Sequence, residues 1–105
     1  MNNLNLCQVI LPGNFFMKHL NITVIGKVQG VFYRAFTQKE AQRLKLVGFV
    51  RNERNGDVYI EAEGEENLLQ ELVAWCKKGS PHASVKEVST TEGMLKQFTE
   101  FKIER

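Results

Sequence analysis

The chain has few of the residues from which metal and redox sites are built. Its 105 residues include two cysteines, two histidines and two prolines. Cys7 and Cys76 show no metal-binding or redox spacing, and neither His19 nor His82 has a cluster of possible ligands near it in the sequence. We therefore expect no metal ion, no cofactor and no disulfide framework, and the cysteine usage favours a reducing cytoplasm.

Long apolar runs and strong charge are also missing. Because no run of about 18 apolar residues occurs, we expect no membrane-spanning segment and no membrane partner. A formal charge of +2 does not require a polyanionic partner, although it mildly favours an anionic substrate. Residues 1–16 carry no lysine or arginine, whereas a secretory signal begins with basic residues. We predict a poorly ordered N-terminal extension over 1–16 and one domain over 17–105, acting as a monomer.

Hydrophobic patterning from His19 onward predicts an alternation of strands and helices. The predicted elements are a strand over 20–24, a helix over 35–46, two strands over 47–51 and 57–63 joined by a hairpin, a helix over 65–78, and strands over 85–91 and 98–104. The order βαββαβ is typical of the ferredoxin-like split βαβ arrangement. We therefore predict an α+β fold, with one antiparallel sheet and two helices on one face.

The connection between the first strand and the first helix is a candidate anion site. It reads Gly26-Lys27-Val28-Gln29-Gly30-Val31-Phe32-Tyr33-Arg34. A helix start leaves backbone N–H groups unpaired, and glycines let the backbone fold around an anion. Arg34, in the first helical turn, can give a phosphoryl group two parallel hydrogen bonds. No Gly-Lys-Ser/Thr follows, so this is not a Walker loop. Taken alone, the segment is equally consistent with a plain turn followed by a surface arginine.

Asn52 is the second candidate site residue, at the end of the second predicted strand. Its amide can accept a hydrogen bond from water and donate one to an oxyanion, or it can simply shape the hairpin turn. No Ser/His/Asp or Cys/His arrangement and no carboxylate pair stands out. Catalysis would therefore depend on positioning and charge stabilisation, which suits phosphoryl transfer from a good leaving group.

Several segments together resemble the acylphosphatase family, in the same order along the chain. They are residues 26–34, residues 47–52, the hairpin through Asn55-Gly56, and residues 79–85, and the resemblance runs from about Lys18 to Ile103. The elements V-Q-G-V-x-[FY]-R and G-[FW]-V-R-N are highly specific at this spacing.

The resemblance implies an enzyme that hydrolyses the carboxyl-phosphate bond of a small acyl phosphate without metal or cofactor. It implies that Arg34 and Asn52 are the catalytic residues, with Asn52 orienting the attacking water. It also implies that inorganic phosphate is both product and inhibitor. The phosphate-binding loop would consist of Gln29, Gly30, Val31, Phe32, Tyr33 and Arg34.

Two alternatives are a non-catalytic anion-binding domain and an RNA-binding module on the same scaffold. RNA-recognition domains share the βαββαβ order and stack bases on aromatic residues of the open sheet face. The positions predicted to face outward here are Asn21, Thr23, Tyr59, Glu61 and Glu63. This face is acidic and nearly without stacking rings, so we expect no nucleic-acid partner. A similar domain also occurs at the start of a larger carbamoyl-transfer maturation protein.

Overall fold

A computed structural model describes residues 9–11 and 15–105. Its elements are β1 (Val9–Leu11), β2 (Phe15–Lys27), α1 (Tyr33–Arg43), β3 (Val47–Asn52), β4 (Val58–Glu65), α2 (Glu66–Lys78), β5 (Ser84–Gly93) and β6 (Phe101–Glu104). Within this part of the chain, no helix is long and apolar enough to cross a membrane.

All the strands belong to one sheet. The order is β1-β2-β4-β3-β6, and β5 pairs with β2 along residues 19–27. The prediction of a ferredoxin-like α+β fold is confirmed, with β2 central between β4 and β5. The sheet is mixed, however, and not antiparallel throughout, because β6 pairs parallel to β3. The chain leaves β5 at one edge and crosses the sheet to β3. There β6 begins at the end of the sheet where β3 also begins, so it runs parallel to β3.

The predicted N-terminal extension lies largely outside the described residues. Its described parts are short strands, in which residues 9–11 pair antiparallel with residues 15–17. Runs of Val, Ile and Phe have the β-propensity for such pairing. The expectation of a poorly ordered extension over 1–16 stays a prediction.

Both helices pack their predicted apolar faces onto the sheet. The buried helix residues include Thr37, Ala41, Leu44, Leu69, Leu72 and Cys76, as their spacing predicts. The first helix is shifted from the predicted range 35–46 to Tyr33–Arg43. It ends early because Lys45 has a positive φ of 59° and the Leu46 N–H reaches back to the Ala41 carbonyl. Helices often end in this way, but usually at glycine, so no local signal predicted that the helix would end here.

The outer face of the sheet is covered by residues 94–100, which we call the crossing segment. Contrary to the expectation that Glu61 and Glu63 face water, the crossing segment buries both of them. The fully buried Glu63 carboxylate accepts the backbone N–H groups of Lys96 and Phe98. His19 Nδ1 lies 2.6 Å from Glu63 Oε2. The Glu63 carboxylate therefore holds the crossing segment against the sheet.

Glu61 belongs to the same buried cluster. It accepts hydrogen bonds from the Tyr59 hydroxyl at 2.7 Å and from Lys96 Nζ at 2.9 Å, and its Oε1 lies 3.2 Å from His19 Nε2. Burial by itself would raise the pKa of Glu61. The two hydrogen bonds, with the charges of Lys96 and His19, outweigh burial and lower that pKa below its usual value.

Candidate active site

The loop between β2 and α1 is anchored at both ends by buried side chains. Val28 and Tyr33 are each about 1% exposed. The Tyr33 hydroxyl donates to the Cys76 carbonyl at 2.7 Å, and its ring lies 5.3 Å from the Trp75 ring. Burial raises the pKa of Tyr33, so the phenol stays protonated. The predicted loop residue Tyr33 therefore offers an anion its backbone N–H and not its side chain.

Between these anchors the backbone forms a concave row of N–H groups. Gly30 and Phe32 have positive φ values of 76° and 61°, with Val31 between them in ordinary conformation. Among the described residues, none accepts a hydrogen bond from the backbone N–H groups of residues 29–34. Such alternation turns successive N–H groups inward, and here the positive end of the α1 dipole adds to them. The loop is therefore built to hold an anion.

Two side chains connect this loop to other segments through hydrogen bonds. Ser80 Oγ donates to the Val31 carbonyl at 2.8 Å. Gln29 Nε2 donates to the carbonyls of Glu53 at 2.7 Å and Asp57 at 2.8 Å. Gln29, predicted as a phosphate-binding residue, thus uses its side chain to join the loop to the hairpin that follows Asn52. Ser80 was missed by the sequence analysis, because nothing local indicates a contact with a residue 49 positions away.

The hairpin after β3 fixes the position of Asn52. Asn52 is the last residue of β3 and pairs with Val58 across the turn. The turn itself is shaped by Asn55, whose Oδ1 accepts the Asp57 N–H at 3.0 Å. Because Asn55 shapes the turn, the Asn52 amide remains available for other contacts.

Arg34 and Asn52 meet at one cavity of about 300 Å³. The cavity is lined by Val28, Gly30, Phe32, Tyr33, Arg34, Ala35, Asn52, Ile103 and Arg105. Arg43 and Arg51 are paired with Glu40 and Glu53. Arg34, by contrast, makes no ion pair with any residue in the described part of the chain. The lining set combines guanidinium groups, an amide and backbone N–H groups with no carboxylate, so the cavity favours an anion.

Cys76, whose backbone carbonyl accepts the Tyr33 hydroxyl, is poorly suited to act as a nucleophile. Cys76 is fully buried beneath the loop, and burial raises its pKa to about 12. A thiol that stays protonated is a weak nucleophile. The chemistry available at the cavity is therefore anion binding and the positioning of water.

Comparisons with known proteins place the chain among its relatives. The family model described as acylphosphatase matches residues 20–103. The chain belongs to the acylphosphatase family. An acylphosphatase of Methylococcus capsulatus is 41% identical over 90 residues, which cover 85% of this chain and 98% of that protein. The loop and Asn52 both lie inside the matched residues.

Solved structures agree with this assignment. The acylphosphatase crystal structure from Bacillus subtilis superposes with a TM-score of 0.82 at 44% identity, covering 84% of this chain and 99% of that one. Full-length HypF, in a phosphate- and nucleotide-bound form, is similar with a TM-score of 0.76 at 30% identity. The match covers 85% of this chain but only 12% of HypF.

Proposed function

We propose that the protein is an acylphosphatase, which hydrolyses the carboxyl-phosphate bond of small acyl phosphates to a carboxylate and inorganic phosphate. The observation that carries the proposal is the shared cavity, which is lined by Arg34, Asn52 and loop N–H groups that bond to none of the described residues. Family membership and the names of the relatives support the same activity.

The phosphoryl group is held by the loop and Arg34. The N–H groups of residues 30–34 donate to its oxygens, and the guanidinium of Arg34 supplies two parallel donors and a full positive charge. These groups are already in place before the substrate arrives, so they stabilise the charge on the oxygens in the transition state at little reorganisation cost. Removing one such donor typically lowers the rate about 10²–10³-fold.

Water attacks phosphorus while held by Asn52. The Asn52 amide oxygen accepts a hydrogen bond from the water, and its NH₂ group donates to a phosphoryl oxygen. As the new P–O bond forms, the bond between phosphorus and the acyl oxygen breaks, and the electron pair leaves on the carboxylate. The proton released by the water stays with the phosphate product. A carboxylate is a good leaving group, so the reaction needs no protein acid.

The same arrangement accounts for a reaction without metal or cofactor. A divalent cation at phosphate normally needs one or two carboxylate ligands. The residues lining the cavity include none, and Arg34 together with the loop N–H groups supplies the positive charge instead. We therefore propose that turnover persists in a chelator.

Hydrolysis of benzoyl phosphate in excess EDTA tests the proposal. We expect turnover by the wild type, competitive inhibition by inorganic phosphate, and a loss of at least about 10²-fold in kcat for both Arg34→Ala and Asn52→Ala. Arg34→Lys should also fail, because an ammonium cannot reproduce the planar two-point contact.

Matched control variants lie outside the cavity. Arg43→Ala removes another α1 arginine, and Asn67→Ala removes an exposed asparagine of α2, and neither residue lines the cavity. Both variants should retain near-normal kcat. Full activity in Arg34→Ala or Asn52→Ala would contradict the assigned roles. Tight phosphate binding without turnover in the wild type would favour a non-catalytic anion-binding domain.

A further inference from the structure

Two phenylalanine side chains stand exposed beside the cavity. Phe32 lines the cavity and is 75% exposed, and Phe36, 40% exposed, follows one helical turn later. The Phe36 N–H donates to the Phe32 carbonyl, so the two residues lie on the same side of the helix start. We call Phe32 and Phe36 the aromatic ledge. Of the strongly exposed large apolar side chains among the described residues, which are Phe16, Phe32, Phe36 and Met94, Phe32 is the one that lines the cavity.

The backbone at Phe32 adds a second observation. Its φ of 61° is left-handed, a conformation that is strained for a bulky residue. Glycine or asparagine would adopt it more readily, and the phenyl ring is too exposed for its packing to offset the strain. Strained residues that packing does not explain are concentrated at functional sites.

The position of the ledge identifies its occupant. The N–H of Phe32 belongs to the row that holds the phosphoryl group, so its side chain lies directly beside anything attached to that group. Ala35 and Ile103 continue the apolar lining of the cavity. We propose that the aromatic ledge binds the acyl group of the substrate and selects acyl phosphates with an aromatic or similarly broad apolar acyl group. This inference rests on the proposed acylphosphatase function.

The chemistry of the ledge explains the direction of selection. An aromatic acyl group covers a large apolar area of the phenyl rings and can stack on them or meet them edge to face. An acetyl group covers little of that area, and a charged acyl group would lose hydration without a matching gain. Both kinds of substrate still present the phosphoryl group to the same loop.

The test compares benzoyl phosphate with acetyl phosphate in the wild type, Phe32→Ala and Phe36→Ala. We expect the wild type to have a clearly higher kcat/KM for benzoyl phosphate. Phe32→Ala should lower kcat/KM for benzoyl phosphate roughly 5–20-fold more than kcat/KM for acetyl phosphate. Phe36→Ala should have a smaller effect in the same direction. Met94→Ala, which removes an exposed apolar side chain away from the cavity, should leave both substrates unaffected.

Inhibition by inorganic phosphate separates loss of the acyl contact from distortion of the loop. Phosphate has no acyl group, so its inhibition constant should stay constant in Phe36→Ala and should change less in Phe32→Ala than the ratio of the two substrates does. An unchanged substrate ratio, or a phosphate inhibition constant that rises in step with the loss for benzoyl phosphate, would overturn the role of the ledge. Absence of hydrolysis of either substrate by the wild type would overturn the proposed function and the ledge with it.

Discussion

The side chain of Gln29 offers the sharpest test of how the two halves of the site are held together. It links the loop between β2 and α1 to the hairpin that follows Asn52, through hydrogen bonds to the Glu53 and Asp57 carbonyls. The substitution Gln29→Ala removes both bonds, while the Glu53 carbonyl keeps the Gly56 N–H and the Asp57 carbonyl keeps the Glu53 N–H as backbone donors. The loop N–H groups and Arg34 stay in place.

The structure gives the size of the expected effects. Two neutral hydrogen bonds contribute about 0.5–1.5 kcal/mol each, so the free energy of unfolding should fall by about 1–3 kcal/mol. The catalytic loss should be larger, because a displacement of about 1 Å in a positioned group can cost roughly 10²-fold in rate. We expect kcat to fall about 10–100-fold, while the inhibition constant of phosphate changes less than about threefold.

The assay is a double-mutant cycle on kcat with Gln29→Ala, Asn52→Ala and the double variant. If Gln29 acts by positioning Asn52, its loss should matter little once the Asn52 amide is gone, so the two effects should be far from additive. Gln38→Ala is the matched control. Its Nε2 donates to the Phe101 carbonyl at 3.0 Å, away from the hairpin. This control should lose some stability in urea unfolding but keep its kcat.

Two results would refute the positioning role of Gln29. A normal kcat in Gln29→Ala would show that the hairpin holds Asn52 without it. An equal loss of kcat in the wild-type and Asn52→Ala backgrounds would show that Gln29 acts independently of Asn52.

Three further changes test the buried cluster and the loop. Glu63→Gln places an amide NH₂ against donor N–H groups such as that of Lys96. The free energy of unfolding in urea should therefore fall by about 3–5 kcal/mol, and a fall of less than about 1 kcal/mol would contradict the role of this carboxylate. Because the pKa of Glu61 is lowered in the fold, its contribution to stability is present at neutral pH and is lost as pH falls below about 4.5. Between pH 7 and pH 3 the free energy of unfolding should therefore fall less in Glu61→Gln than in the wild type. Equal decreases in the two proteins would contradict the lowered pKa. Ser80→Ala leaves the Val31 carbonyl without its side-chain donor. The phosphate inhibition constant should therefore rise about 3–10-fold, and the free energy of unfolding should fall by about 1 kcal/mol. An unchanged inhibition constant would mean that Ser80 does not hold the loop.

The fold could be predicted because its core depends on local periodicity. Alternation in β2 and β4 and the helical spacing of Leu69, Leu72 and Cys76 indicate the same buried face that the structure shows. What escaped prediction depends on contacts between distant segments. Glu61 and Glu63 alternate as solvent-facing residues should, and only the return of the chain some thirty residues later buries them.

The candidate site also has parts that depend on local sequence and parts that depend on contacts between distant segments. The exposed backbone N–H groups around Gly30 and Arg34 could be predicted, because a loop that enters a helix start leaves its own N–H groups unbonded whatever lies elsewhere. The pairing of that loop with Asn52 came from resemblance, and the structure brings both to one cavity. The side chains that hold the loop, Gln29 and Ser80, act on carbonyls of other segments. No local pattern in the sequence indicates such bonds.

The layout of β2 implies that stability and catalysis can be altered separately. His19, at the buried cluster, and Lys27, where the loop begins, are eight residues apart on the same strand, about 26 Å at 3.3 Å per residue. Perturbations this far apart with no shared partner usually add in free energy. A Glu63→Gln variant assayed well below its unfolding temperature should therefore keep the wild-type kcat, and combining it with Gln29→Ala should give the sum of the two stability losses. A drop in kcat for folded Glu63→Gln would instead show that the cluster and the loop are coupled through β2.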